Sequence, residues 1–192
     1  MCERAIQPFL SIIGLGEDGL DGLTPAARAA LDAAELVFGA PRHLELAQAG
    51  ARGRAWPVPF SIEPLLAARG RRVAALVSGD PFWHGAGVAL SRALPAEDWR
   101  AFPNVSTASL AAARLGWPLE ATTCLGLHAA RFPRARRSLH GGARLICLMR
   151  DAAAPAAFAA WLTSMGFGAS TLHVLERLGG ARERIRTTRA DA

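Results

Sequence analysis

Lysine and tyrosine are absent from this 192-residue chain, and cysteine occurs three times. Without lysine, the net charge of +6 rests on arginine alone. Alanine, glycine and arginine abound, which points to a genomic codon bias, so the basic balance does not by itself name a partner. It permits an anionic one, either nucleic acid or a polycarboxylate small molecule. The arginines gather at Arg69-Gly70-Arg71-Arg72 and between 131 and 137, where a solvated basic face is the plainer reading. Cys2, Cys124 and Cys147 are odd in number and far apart. That excludes a disulfide framework and a cysteine metal motif, and it fits the cytoplasm. No stretch approaches the roughly 18–20 uninterrupted apolar residues of a membrane span. The first apolar run, 9–13, is short, has no basic region before it and ends in a glycine turn, which argues against a signal peptide. His43, His84, His128, His140 and His173 show no metal-ligand spacing, and no metal is expected. No GxSxG elbow occurs, which excludes the usual context of a Ser–His–Asp hydrolase.

What is present suits a globular core: 51% of residues are hydrophobic. Strands are expected at 9–13, 36–38, 73–77, 99–102, 122–127, 145–149 and 170–175, with a final extended segment at 183–188. Helices are expected at 25–35, 42–49, 85–94, 106–115, 132–139 and 155–165. A short one is also expected between Ser61, its cap, and Gly70. Thr24 reads as an N-cap with Pro25 at the first helical position. The segment 50–59 carries three glycine or proline breaks and reads as irregular. The continuous apolar run Val73-Ala74-Ala75-Leu76-Val77 fits a central parallel strand buried on both faces. Alternation of strand and helix implies a doubly wound α/β unit. A boundary between two domains, 1–117 and 118–192, is expected near Gly116 and Pro118.

Gly14-Leu15-Gly16-Glu17-Asp18-Gly19 matches GxGxxG after a strand. The next helix starts only at Thr24-Pro25, and Glu17 and Asp18 would repel a phosphate, so a dinucleotide site is disfavoured. A structural turn and a loop lining another pocket both remain open. Ser78-Gly79-Asp80-Pro81-Phe82-Trp83-His84-Gly85 follows the strand that looks central. Ligands of open α/β sheets bind at the carboxyl ends of strands. Gly79 allows close approach of backbone, Pro81 stiffens the turn, and Asp80 can accept from backbone amides or ligand hydroxyls. A capped turn before a helix is the plainer alternative. Pro103-Asn104-Val105-Ser106-Thr107-Ala108 is a second turn-to-helix junction, with capping the simpler role of its hydroxyls.

A glycine loop after the first strand, a Gly-Asp-Pro turn after a mid-chain strand and a Pro-x-Val-Ser junction, in that order, resemble the tetrapyrrole (corrin/porphyrin) methylases. Gly39-Ala40-Pro41-Arg42-His43-Leu44-Glu45, Leu127-His128-Ala129-Ala130 and Leu178-Gly179-Gly180-Ala181-Arg182-Glu183-Arg184-Ile185 are similar to segments of the branch that methylates precorrin-6Y in cobalamin synthesis. The resemblance implies an α/β fold of two small α/β domains with an S-adenosylmethionine cleft between them. It implies a methyltransferase acting at a meso carbon, carbon 5, with S-adenosylhomocysteine as product. It places cofactor-binding residues at Gly14, Gly16, Ser78, Gly79, Asp80, Trp83, Ser106, Thr107, Met149 and Gly179. Arg42 and Arg131 would meet substrate carboxylates, and His43, His84 and His128 are the candidates for proton handling.

The resemblance also implies a homodimer and a second methyltransferase/decarboxylase domain, fused or separate, as partner. Neither nucleic acid nor membrane is then a partner. The sequence departs from the family at three points. Glu17 stands where proline is usual, Ala129-Ala130 replaces Gly-Arg so that Arg131 is the substitute, and the chain stops at Ala192, as an N-terminal half would. Two other readings stay open: a related methylase acting on RNA or protein, and a cofactor-binding module inactive without its partner domain.

Overall fold

A computed structural model describes residues 8–128 and 131–192. Cys2 and the Ala129-Ala130 departure lie outside the described residues. The chain divides into two compact units, 1–107 and 108–192.

The first unit is built on a five-stranded sheet. Its strands are β1 (Leu10–Leu15), β2 (Leu36–Gly39), β3 (Gly53–Ala55), β4 (Val73–Ser78) and β5 (Trp99–Phe102). Their order is β3-β2-β4-β1-β5, and every pairing is parallel. The edge strand β3 falls inside the stretch expected to be irregular. Three residues pair with Val37, Phe38 and Gly39, too few to leave a periodic signal.

Alternate residues of each strand serve opposite faces of the sheet. Ile13, Leu15, Val37, Ala74 and Leu76 join Ala27 and Leu31 of α1 (Pro25–Ala33) in one core. Leu10, Ile12, Phe38, Val73, Ala75 and Val77 join Leu90 and Leu94, from α4 (Gly87–Ala93) and its C-cap, in the other. The remaining helices of this unit are α2 (Pro41–Leu46) and α3 (Glu63–Leu66). Thr24 caps α1 as expected, its Oγ1 accepting from the Ala27 amide at 3.2 Å. Helix α4 starts at Gly87 rather than at 85, because the Gly87 amide closes a turn on the Pro81 carbonyl at 3.0 Å.

Strand β1 is followed by α1 on one face, and β4 by α4 on the other. Their chain connections run to opposite sides of the sheet, β1 to β2 and β4 to β5. The carboxyl ends of β1 and β4 thus form the topological switch point, where open α/β sheets bind ligands.

The second unit holds a parallel pair, β6 (Thr123–Gly126) with β7 (Leu145–Leu148), and an antiparallel ribbon, β8 (Thr171–Glu176) with β9 (Arg184–Arg189). Helix α5 (Thr107–Leu115) packs Ala108, Ala111 and Ala112 on Ile146 and Leu178. That packing draws the division to 107/108 rather than 117/118: the helix serves the second core. Helix α6 (Ala154–Ser164) adds Phe158 and Leu162 to a second cluster with Leu127 and Ala135.

The stretch expected as a helix at 132–139 is instead a 3-10 segment, Phe132–Ser138. Phe132, edge-on to Phe158 and tilted against Trp161, and the buried Ala135 stand three residues apart. That is the repeat of a 3-10 turn. No helix among the described residues is long and apolar enough to cross a membrane.

Candidate active site

Three turns leave the carboxyl end of the first unit's sheet, after β1, β4 and β5, and the backbone locks them together. The Gly79 amide donates to the Leu15 carbonyl at 3.0 Å, and the Gly79 carbonyl accepts from the Asn104 amide at 3.2 Å. Gly79 itself has φ +53°, and a Cβ there would sit 2.7 Å from the Val105 carbonyl oxygen and 3.1 Å from Ser106 Cα. A Cβ on Gly14 would overlap the Gly79 carbonyl oxygen. Both glycines are therefore required by close approach of backbone to backbone. Asn104, the chain's single asparagine, extends the lock. Its Nδ2 donates to the Gly22 carbonyl at 3.2 Å and its Oδ1 accepts from the Val105 amide at 2.7 Å. Local sequence reading passed over Asn104 because its main partners lie far along the chain.

The structure brings Gly14, Gly16, Ser78, Gly79, Asp80, Trp83, Ser106 and Thr107 to these three turns. Asp80 Oδ1 accepts from the Phe82 amide at 2.8 Å, so the carboxylate shapes its own turn. Trp83 stays 47% exposed, with His84 edge-on at 5.9 Å. His84 holds a φ of +58°, uncommon for a residue with a Cβ. The turns carry three carboxylates, Glu17, Asp18 and Asp80, and segments 14–18, 78–84 and 103–107 contain no arginine. Glu17 is balanced by Arg42 from the next helix, which leaves Asp18 and Asp80 as the carboxylates that favour a cationic ligand.

His43 enters from α2. Pro41 starts that helix at its first position. The missing side chain of Gly39, whose Cβ would lie 3.3 Å from Leu76 and 3.4 Å from His43 Cβ, lets it lie close to β4. His43 is the one buried polar side chain among the described residues, 7% exposed. Its Nε2 is 3.0 Å from Ser78 Oγ and 3.3 Å from Arg42 Nη2. Nδ1 is buried without a hydrogen-bond partner. Burial lowers the ring's pKa to about 4; the Arg42 charge adds to this, and the Leu76 backbone opposes it. Arg42 forms an ion pair with Glu17, so the residue replacing the family's proline holds the arginine named for substrate.

The second unit carries the other named residues. Met149 follows β7 and packs partly buried against that unit's core. Gly179 has φ +84°, and its amide donates to Glu183 Oε2 at 2.7 Å. Glu183 is gripped by Arg114 of α5 through two bonds of 2.6 and 3.0 Å. His128 and Arg131 are exposed. His173 bonds Thr187 Oγ1 across the β8–β9 ribbon at 2.9 Å. Cys147 is pushed up to about 12, chiefly by burial and then by Cys124, so it stays a thiol.

The family model of the tetrapyrrole (corrin/porphyrin) methylases matches residues 10–192. A precorrin-6Y C(5,15)-methyltransferase (decarboxylating) of a Sinorhizobium species is 44% identical over 186 residues, covering 95% of this chain and 45% of that protein. A cobalt-precorrin-7 C(5)-methyltransferase of Salmonella typhimurium is 28% identical over 182 residues, 92% of this chain and 89% of that protein. The chain thus spans less than half of the first relative and most of the second.

Among solved structures, a cobalamin biosynthesis precorrin-6Y methylase of Archaeoglobus fulgidus superposes with a TM-score of 0.70 at 26% identity, covering 96% of this chain and 91% of that one. A uroporphyrin-III C-methyltransferase of Thermus thermophilus, complexed with S-adenosylhomocysteine, shares the fold with a TM-score of 0.62 at 21% identity, covering 95% and 83%. The family match begins with the first strand and runs through both units to the last residue, and the chain belongs to the tetrapyrrole (corrin/porphyrin) methylases.

Proposed function

We propose that this chain is the carbon-5 methylating part of a precorrin-6Y methyltransferase, moving a methyl group from S-adenosylmethionine to a meso carbon of precorrin-6B. One observation carries the reading: three turns locked at the sheet's switch point, carrying Asp18, Asp80 and a Glu17 that is paired with Arg42. The relative matched over most of its length bears the name of a C(5)-methyltransferase, which supports carbon 5 over carbon 15. The remaining half of the Sinorhizobium protein supports a second methyltransferase/decarboxylase domain as partner, fused or separate. The reading includes a homodimer in the cytoplasm.

When bound, S-adenosylmethionine supplies an activated methyl group on a sulfonium, so the protein's task is alignment and exclusion of water. The Ser78–Asp80 turn, with Gly14 and Gly16 beside it, forms the floor, rigid through its backbone bonds. Trp83, half exposed, offers an apolar and aromatic face. Ser106 and Thr107 present hydroxyls at the start of α5. Met149 and Gly179, named by the family resemblance, belong to the second unit. Asp18 and Asp80 favour a cation over the turns. Arg42 and Arg131 would take substrate carboxylates by charge-assisted bonds, Arg42 by exchanging its partner Glu17. Of the three histidines named for proton handling, His84 and His128 are exposed, while His43 is buried with its pKa lowered to about 4.

The test is incubation with S-adenosylmethionine and precorrin-6B, with the product read by mass and NMR. A single new methyl at carbon 5 is expected. Binding of S-adenosylhomocysteine without methylation would instead favour a cofactor-binding module that needs its partner domain.

A further inference from the structure

The contacts of His43 decide which way the Ser78 hydroxyl points, on the reading that these turns hold S-adenosylmethionine. A guanidinium has N–H donors and no acceptor. Arg42 Nη2 faces His43 Nε2 at 3.3 Å, so a hydrogen on Nε2 would meet another N–H. The lone pair therefore lies at Nε2 and the proton at Nδ1. A ring held neutral by burial, with Nε2 unprotonated, can only accept from Ser78 Oγ at 3.0 Å. The Ser78 hydrogen is then committed to His43. Ser78 is exposed at the end of β4, and what its oxygen turns toward the solvent side of the turn is lone pairs.

We propose that His43 is a positioning residue that fixes Ser78 as a hydrogen-bond acceptor, so that Ser78 Oγ selects an N–H or O–H donor on the bound cofactor. A serine with a freely rotating hydroxyl would serve donors and acceptors alike. A serine held this way favours a donor, such as the ammonium of the methionyl part or a hydroxyl of the ribose. It rejects a carboxylate or phosphate oxygen at the same place. The role also explains why a buried histidine with an unpartnered Nδ1 sits beside a cofactor turn: the orphaned atom is the cost of presenting Nε2 correctly.

Calorimetry with S-adenosylhomocysteine tests it. Ser78→Ala and His43→Phe should each weaken binding roughly fivefold, the worth of one hydrogen bond. The double variant should be no weaker than either alone, because one interaction has been removed twice. His43→Gln, whose amide oxygen can accept, should recover most of the loss; it and Ser78→Ala keep the test open if His43→Phe fails to fold. Additive losses, or wild-type affinity in both Ser78→Ala and His43→Gln/Ser78→Ala, overturn the proposal.

Methylthioadenosine, which lacks the amino-acid part, identifies the donor. A loss seen only with S-adenosylhomocysteine assigns the ammonium, and an equal loss with both assigns the nucleoside. Nitrogen NMR of the ligand-free protein reads the tautomer directly. Hydrogen on Nδ1 is expected, and hydrogen on Nε2 overturns the proposal whatever binds. A wild type that binds no S-adenosylhomocysteine yet shows the expected tautomer overturns the cofactor reading and leaves the His43–Ser78 orientation standing.

Discussion

His43 couples the site to the stability of the fold. The native ring resists protonation down to about pH 4, against an ordinary 6.5. Between these values the unfolded chain binds a proton that the native state does not, so stability rises with pH across the window. The contribution is complete above 6.5 and is lost as pH falls toward 4. At ~1.4 kcal/mol per unit, the whole difference is about 3 kcal/mol. Urea midpoints measured across that range should follow this curve, and His43→Gln should flatten it; a wild-type curve already flat there would contradict the buried neutral ring. Gly14 makes a second prediction at this scale. Gly14→Ala drives a methyl into the Gly79 carbonyl and should cost at least about 2 kcal/mol in unfolding free energy, the range of an overpacked core. Neither effect was legible in the local sequence. The Arg42-His43 pair drew attention only through resemblance, because its partner Ser78 lies 35 positions away.

Short clamps tie elements together within each unit. Glu183, gripped by Arg114 of α5, accepts the Gly179 amide, so helix and glycine loop are tied together within the second unit. The Arg114 contact and the Gly179 amide both hold the Glu183 carboxyl below its usual range. Arg114→Ala should leave the fold intact and speed hydrogen exchange at the Gly179 amide; unchanged exchange would show that the loop holds itself. Asp80→Ala should do the same at Phe82, whose amide Asp80 accepts, and should weaken S-adenosylhomocysteine binding in calorimetry. Element types were largely readable from pattern: continuous apolar runs became parallel strands, and Thr24-Pro25 became a capped helix start. Two elements were not. Strand β3 exists because β2 offers it an edge. The 3-10 segment exists because Phe132 and Ala135 reach the core at a three-residue spacing. Both are decided by neighbours distant in sequence.

For the whole molecule, the division at 107/108 assigns α5 to the second unit. A fragment of residues 108–192 should keep more helical and near-ultraviolet signal than one of 118–192. The shorter piece exposes Ile146 and Leu178, which Ala108, Ala111 and Ala112 cover; equal spectra would place α5 outside that core. The sequence by itself determined the α/β class, the central strand 73–77, the glycine and Gly-Asp-Pro turns and their order, since these rest on residue type and short-range period. Tertiary structure alone decided what the turns do to one another. Gly79 is held from β1 and from the loop after β5, Arg42 is taken by Glu17, and His43 is buried against Ser78. Each of these joins residues far apart in the chain, through hydrogen bonds that come within reach only once parallel strands have aligned their carboxyl ends at one edge of the sheet.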